Sequence, residues 1–131
     1  MAEKVMKIKI MTVSFILLSN MFAVSGQSKK FVTRCGWYDN PTPANYSLFD
    51  KDREWIIGVQ GGYQVEDFEA PAFGKQWVKT NNSYGYGCAC FQMTVDFETS
   101  RVLEIKKSSA RPLSACRKDK VLKKKWGFTL K

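Results

Sequence analysis

Gly87-Cys-Ala-Cys-Phe-Gln-Met-Thr-Val-Asp-Phe97 alternates without a break. Ala89, Phe91, Met93, Val95 and Phe97 fall on one side, and Cys88, Cys90, Gln92, Thr94 and Asp96 on the other. A period of two over this length is a β-strand with one core face. The next run, Arg101 to Lys107, puts Leu103 and Ile105 on one face, and Glu98-Thr-Ser100 is short enough to join the two as a hairpin. With Val95 opposite Leu103, Met93 meets Ile105 and Cys90 lies across from Ser108. Both cysteines then point away from the aliphatic core. Their partners must lie over the second face, in the segments carrying Cys35 and Cys116, so the disulfides are expected to clamp flanking coil.

Four cysteines permit three pairings, and a Cys88–Cys90 bond is the least favourable because an extended pair one residue apart closes only through a tight, strained loop. A zinc site is disfavoured, since Cys88-Ala-Cys90 is one residue tighter than a zinc knuckle. A redox-active strand pair is the sharper reading, but the alternation favours a structural role.

Outside the hairpin, Glu54-Trp-Ile-Ile-Gly-Val-Gln60 reads as a strand ended by Gly61-Gly62, and Lys75 to Thr80 as a shorter one. Glu66 to Gly74, with Pro71, reads as a surface loop. Asn40-Pro-Thr-Pro43 favours extended or polyproline backbone, and Asn81 to Gly87 is a turn-rich approach to the cysteine strand. No amphipathic helix is evident before Ser114. The fold class is therefore mostly β: a small antiparallel β domain clamped by two disulfides.

The start of the chain has the layout of a secretory signal peptide. Lys4, Lys7 and Lys9 precede an uncharged stretch from Ile10 to Val24, which ends in Ala23-Val-Ser25. Thr12, Ser14, Ser19 and Asn20 interrupt that stretch, and it is short of the ~20 residues of a membrane-spanning helix. Cleavage would leave Gly26 or Gln27 first, and Met6 could serve as the start. The expected organisation is a signal peptide at 1–25, a disulfide-clamped β domain at 26–120 and a basic C-terminal tail at 121–131, with no transmembrane span in the mature chain. Four cysteines and no histidine in so short an exported chain fit an oxidising compartment, either the periplasm or the medium.

Charge is divided unevenly. Residues 26–100 hold 7 Lys and Arg against 9 Asp and Glu, whereas residues 101–131 hold 11 against 2. The basic end, with Lys123, Lys124, Lys125 and Trp126, could attract acidic polymers or an anionic lipid surface. A mobile, solvated tail is its commoner explanation. An exported chain has no evident use for nucleic acid.

The absence of histidine removes imidazole triads, so an enzyme reading must use carboxylates. Asp39, Glu66, Asp67 and Glu69 are available in expected loops, but no spacing among them selects a glycosidase pair. Asp50, Asp52 and Glu54 superficially suggest a calcium loop, yet Lys51 and Arg53 interleave with them and the loop glycine is missing. A solvated charged turn is the better reading. No cofactor or metal is expected. Trp55 and Trp77 read as core. Trp37, Tyr38, Tyr84 and Tyr86 lie in Gly-rich or Pro-rich segments as a possible exposed aromatic surface, and Asn40 and Gln60 could supply amide hydrogen bonds.

Cys35-Gly-Trp-Tyr-Asp-Asn-Pro-Thr-Pro-Ala-Asn45 and Gly85-Tyr-Gly-Cys-Ala-Cys90, with Trp55 to Gly62, Gln76-Trp-Val78, Val95-Asp96, Arg101-Val-Leu103 and Pro112 to Cys116, resemble domain of unknown function family 4087. That is a family of small secreted bacterial proteins, and the resemblance runs from about Cys35 to Asp119. It implies export and brings no established activity. Trp37, Asn40, Gln60, Tyr86 and Gly87 match its motifs. The functional expectation is a binding or interaction module of the bacterial envelope whose partner is an envelope glycan, an anionic lipid surface or a periplasmic protein. The alternatives are an inhibitor or immunity protein against a secreted toxin or lysozyme, and a carboxylate-dependent envelope hydrolase.

Overall fold

The computed structural model describes residues 29–127. The expected signal peptide and the last four residues lie outside that range. Six strands follow in order: β1 (Val32–Asn40), β2 (Tyr46–Asp50), β3 (Glu54–Gly58), β4 (Val78–Asn81), β5 (Tyr84–Asp96) and β6 (Arg101–Arg111). Two short helices follow, α1 (Leu113–Arg117) and α2 (Lys120–Trp126). The strands form one mixed sheet in the order β1-β2-β3-β6-β5-β4, and β1 also pairs with β5. That extra pairing closes β1, β2, β3, β6 and β5 into a barrel and leaves β4 on the first part of β5. All pairings are antiparallel except β3–β6, which meet in parallel at Ile56 and Arg101.

The alternation of β5 explains why closure is stable. Ala89, Phe91 and Met93 point inward and are completely buried with Leu48, Trp55, Ile57 and Val102. Tyr38 joins them, and its ring is surrounded by those of Tyr46, Phe68, Phe73, Trp77 and Phe91. Phe68 and Phe73 come from the loop between β3 and β4, which thus plugs one side of the barrel. Phe73 lies against Gly87, where a Cβ would strike its ring. The outward side of β5 is also covered. Tyr86 and Cys88 pack there with Trp37, Phe49, Cys116 and Leu122 as a second apolar cluster beneath the helices.

Several expectations need correction. Val95 pairs with Val102 and Cys90 with Ser109, because the β5–β6 ladder shifts twice, at Gln92/Met93 and Thr94/Val95; Met93–Ile105 and its neighbour Thr94–Glu104 keep the simple register. Leu103 and Phe97 are consequently exposed rather than core. Cys35 is in β1 and not in coil, directly opposite Cys90. It bonds to Cys90, and Cys88 bonds to Cys116 in α1. Asn40 ends β1, and Pro41 to Asn45 turn sharply, with Ala44 at φ 59°.

The charged turn is not simply solvated. Asp50 is buried at 2% exposure. Its Oδ1 accepts from the Asp52 and Arg53 backbone N–H groups at 2.8 and 2.9 Å. Its Oδ2 accepts from Trp55 Nε1 at 2.7 Å and Arg34 Nη1 at 2.9 Å. The Arg34 guanidinium also lies 4.4 Å from the centre of the Trp55 ring. A buried carboxylate is tolerated only with such partners. β1 can approach Asp50 this closely because Gly36 faces it, and a Cβ there would clash with the Phe49 carbonyl.

The basic segment is likewise not a free tail over its described part. The Asp119 carboxylate caps α2 by accepting from the Val121 and Leu122 N–H groups at 2.9 and 3.0 Å. Leu122 and Trp126, one helical turn apart, then face the sheet. Leu122 is buried, and Trp126 Nε1 donates to the Asp50 carbonyl at 2.7 Å. No helix among the described residues is long and apolar enough to cross a membrane.

Asp50→Ala is expected to lower stability by about 3–5 kcal/mol, because it leaves the Trp55 N–H and two backbone amides without their acceptor and takes from Arg34 its buried carboxylate, leaving only Asp52 at 3.0 Å. Asp52→Ala, which removes the exposed carboxylate of the Arg34–Asp52 pair, should cost under ~1 kcal/mol. Urea unfolding followed by tryptophan fluorescence measures both.

Candidate functional site

The residues that bring sequence candidates together lie on the outer side of β1 and β5, where the helices dock. Trp37 and Tyr86 meet edge to face at 5.4 Å. Trp126 stands edge to face with Phe49 at 5.0 Å. Between them is an open groove of about 310 Å³ lined by Trp37, Tyr86, Cys116, Arg117, Lys123 and Trp126. The Cys88–Cys116 bond, with both cysteines buried, holds α1 against β5 at its base. Arg117 and Lys123 are exposed, and no carboxylate is among the lining residues. Aromatic edges with two cations above them suit a flat or ring-shaped group carrying negative charge.

Along the same face of β1, two residues beyond Trp37, is Asp39. It pairs across the sheet with Ser47, whose hydroxyl donates to Glu54 Oε1 at 2.7 Å. Burial pushes the Asp39 carboxyl up to about 6, and the Glu54 charge adds to this against a backbone hydrogen bond from Asn40. A polar row, Asp39-Ser47-Glu54, thus lies on the same side of the sheet as Trp37.

The other sequence candidates are placed differently. Trp37 and Tyr86 are only 8% exposed, so they present edges and not open faces. Tyr38 is inside the barrel at 1% exposure and cannot meet a ligand; burial holds its hydroxyl well above the usual tyrosine range. The Gly-rich and Pro-rich surroundings suggested exposure, but these residues belong to strands covered on both sides. Tyr84 is half-buried at the start of β5 and does not line the groove. Asn40 serves the turn after β1, its amide nitrogen reaching the Thr42 and Asn45 carbonyls at 2.7 and 3.1 Å. Gln60 is exposed, and its backbone N–H donates to Asn45 Oδ1 at 2.8 Å. Lys124 is exposed and does not line the groove, and Lys125 donates to the Asp52 carbonyl. Arg117 was not singled out by sequence reasoning; the usable signal was its position next to Cys116, whose disulfide fixes where it stands.

A family model described as "Protein of unknown function (DUF4087)" matches residues 29–123. No curated protein and no solved structure matches the chain.

The raised Asp39 carboxyl gives a signed pH effect. Its folded-state value lies above the 3.8 of an ordinary aspartate, so its contribution to stability is full below about pH 4 and is lost as pH rises through about 6. Asp39→Asn should remove this slope, gaining about 1 kcal/mol on wild type between pH 4 and pH 7.5. Urea midpoints for both proteins across that range check the sign.

Proposed function

The chain belongs to the DUF4087 family, and we propose that it is an exported binding module of the bacterial envelope that takes an acidic glycan in the groove beside α2. The observation that carries this reading is the convergence of Trp37, Tyr86 and Trp126 with Arg117 and Lys123 around one groove free of carboxylates. A uronic-acid-type residue would set its carboxylate beside the two cations and against the electropositive ring edges. The groove is built on a strand pair and on helices fastened by a disulfide, so little ordering is needed on binding. Two disulfides and no free cysteine among the described residues support an oxidising location.

Binding of polygalacturonate, measured by calorimetry in low salt, should fall at least about tenfold in Arg117→Glu/Lys123→Glu. Lys79→Glu, an exposed charge reversal on β4, should change it less than about threefold. Equal losses in both variants would reduce the effect to general electrostatics, and no binding by the wild type would refute the assignment.

One observation favours a second reading. Asp39, held near 6 beside Glu54, has the protonation behaviour of a general acid. In a carboxylate-dependent hydrolase, Asp39→Asn would abolish release of reducing ends from an envelope glycan while polymer binding in the groove persisted. A glycan left uncut by the wild-type protein would retire this reading and leave the binding module.

A further inference from the structure

The two disulfides differ in everything that governs their chemistry. Cys88 and Cys116 are each 2% exposed beneath the helices. Cys35 is exposed and Cys90 is half-buried on the outside of the barrel, joined straight across the β1–β5 ladder with a Cα separation of 4.0 Å. A shallow groove lined by Thr33, Cys90, Gln92, Lys107 and Ser109 opens on Cys90. Cys35 and Arg111 line a neighbouring one with the buried Cys88 and Cys116 and with Asp119, whose carboxylate is engaged by the first amides of α2. Arg111 Nη1 donates to Cys90 Sγ at 3.4 Å. A guanidinium bonded to one sulfur of a disulfide stabilises that sulfur as a thiolate, and the sulfur that is the better thiolate is the one that leaves.

We infer that Cys35–Cys90 is a thiol–disulfide exchange site for a small anionic thiol, while Cys88–Cys116 is the permanent structural bond. The incoming thiolate attacks Cys35 Sγ, forming a mixed disulfide. The bond to Cys90 breaks, and its electron pair remains on Cys90 Sγ beside Arg111. A second equivalent of the thiol attacks the mixed disulfide and leaves as the oxidised dimer, freeing the Cys35 thiolate. Two thiols are thereby oxidised and one protein disulfide is reduced. Arg111, which shares a groove with the attacked Cys35, favours a thiol that carries carboxylates. The β1–β5 hydrogen bonds keep the barrel closed after exchange, and the Cys88–Cys116 bond keeps α1 on β5.

The test treats the native, oxidised protein with reduced glutathione, quenches aliquots with iodoacetamide and maps the peptides. Glutathione on Cys35 together with carbamidomethyl on Cys90, while Cys88–Cys116 stays closed, is the expected result. Adduct mainly on Cys90, or opening of both bonds at the same rate, would overturn the assignment. Arg111→Gln should slow opening about tenfold with an unchanged urea midpoint, and Arg111→Lys should recover part of the rate. An undiminished rate in Arg111→Gln would refute the role given to Arg111. Mercaptoethanol, matched for thiolate concentration, should react more slowly than glutathione, and equal rates would refute selection for an anionic thiol.

Discussion

A single buried carboxylate ties the two layers of this protein together. Asp50 ends β2 with both side-chain oxygens occupied, by the Asp52 and Arg53 amides on one and by Trp55 and Arg34 on the other. The first pair sets the turn into β3. The second anchors the largest residue of the barrel interior and fastens β1 to the same point. Its main-chain carbonyl receives Trp126 of α2, so the outer helix is positioned from the same residue that orders the core. Hydrogen bonds to a charged group are worth more than neutral ones, and each donor would be costly to leave unmet in this setting. The groove beside α2 inherits its shape from that arrangement.

Closing the barrel has a functional corollary. Once β1 pairs with both β2 and β5, apolar residues on the inner side are committed to the interior. Only the outer side can then present chemistry. There the sequence is no longer purely apolar: Trp37, Asp39, Ser47, Glu54 and Tyr86 share that surface, and the helices add Arg117 and Lys123. The two disulfides both attach to that side of β5, at adjacent outward positions, yet one lies under α1 and the other is open to solvent. Their different surroundings follow from the helices ending their cover between Cys88 and Cys90.

How much of this could be read in advance depended on whether one side of each element is wet. β3, the inward side of β5, the hairpin to β6 and the attachment of Cys35 and Cys116 to the two strand cysteines are legible because apolar and polar residues alternate or because the cysteine spacing restricts the choices. β1 and β2 are not. Leu48 faces the barrel and Phe49 faces α2, so the alternation that marks a half-exposed strand is missing. The same double cover misplaced Trp37, Tyr38 and Tyr86 on the surface. Asp50 reads as a solvated charge among Lys51, Asp52 and Arg53, since nothing local reveals that Arg34 and Trp55 converge on it. The double shift of the β5–β6 ladder also escapes pattern reading, because a bulge adds a residue without changing the composition.

The pairing of β1 with β5 joins parts of the chain far apart in sequence, Cys35 and Cys90 being separated by 55 positions. The β5–β6 hairpin, by contrast, turns within a few residues, with Asp96 accepting from the Glu98 amide and the Thr99 hydroxyl. Local contacts form before long loops can be closed, because loop closure sacrifices chain entropy in advance of any reward. The hairpin is therefore the natural nucleus, and the barrel shuts last, when the first strand arrives. The N-terminal strand, made earliest, must wait for nearly the whole domain before it finds its neighbour. Until that moment the far edge of β5 is an open template, and the interval before β1 docks is when this fold is most vulnerable to pairing with the wrong chain.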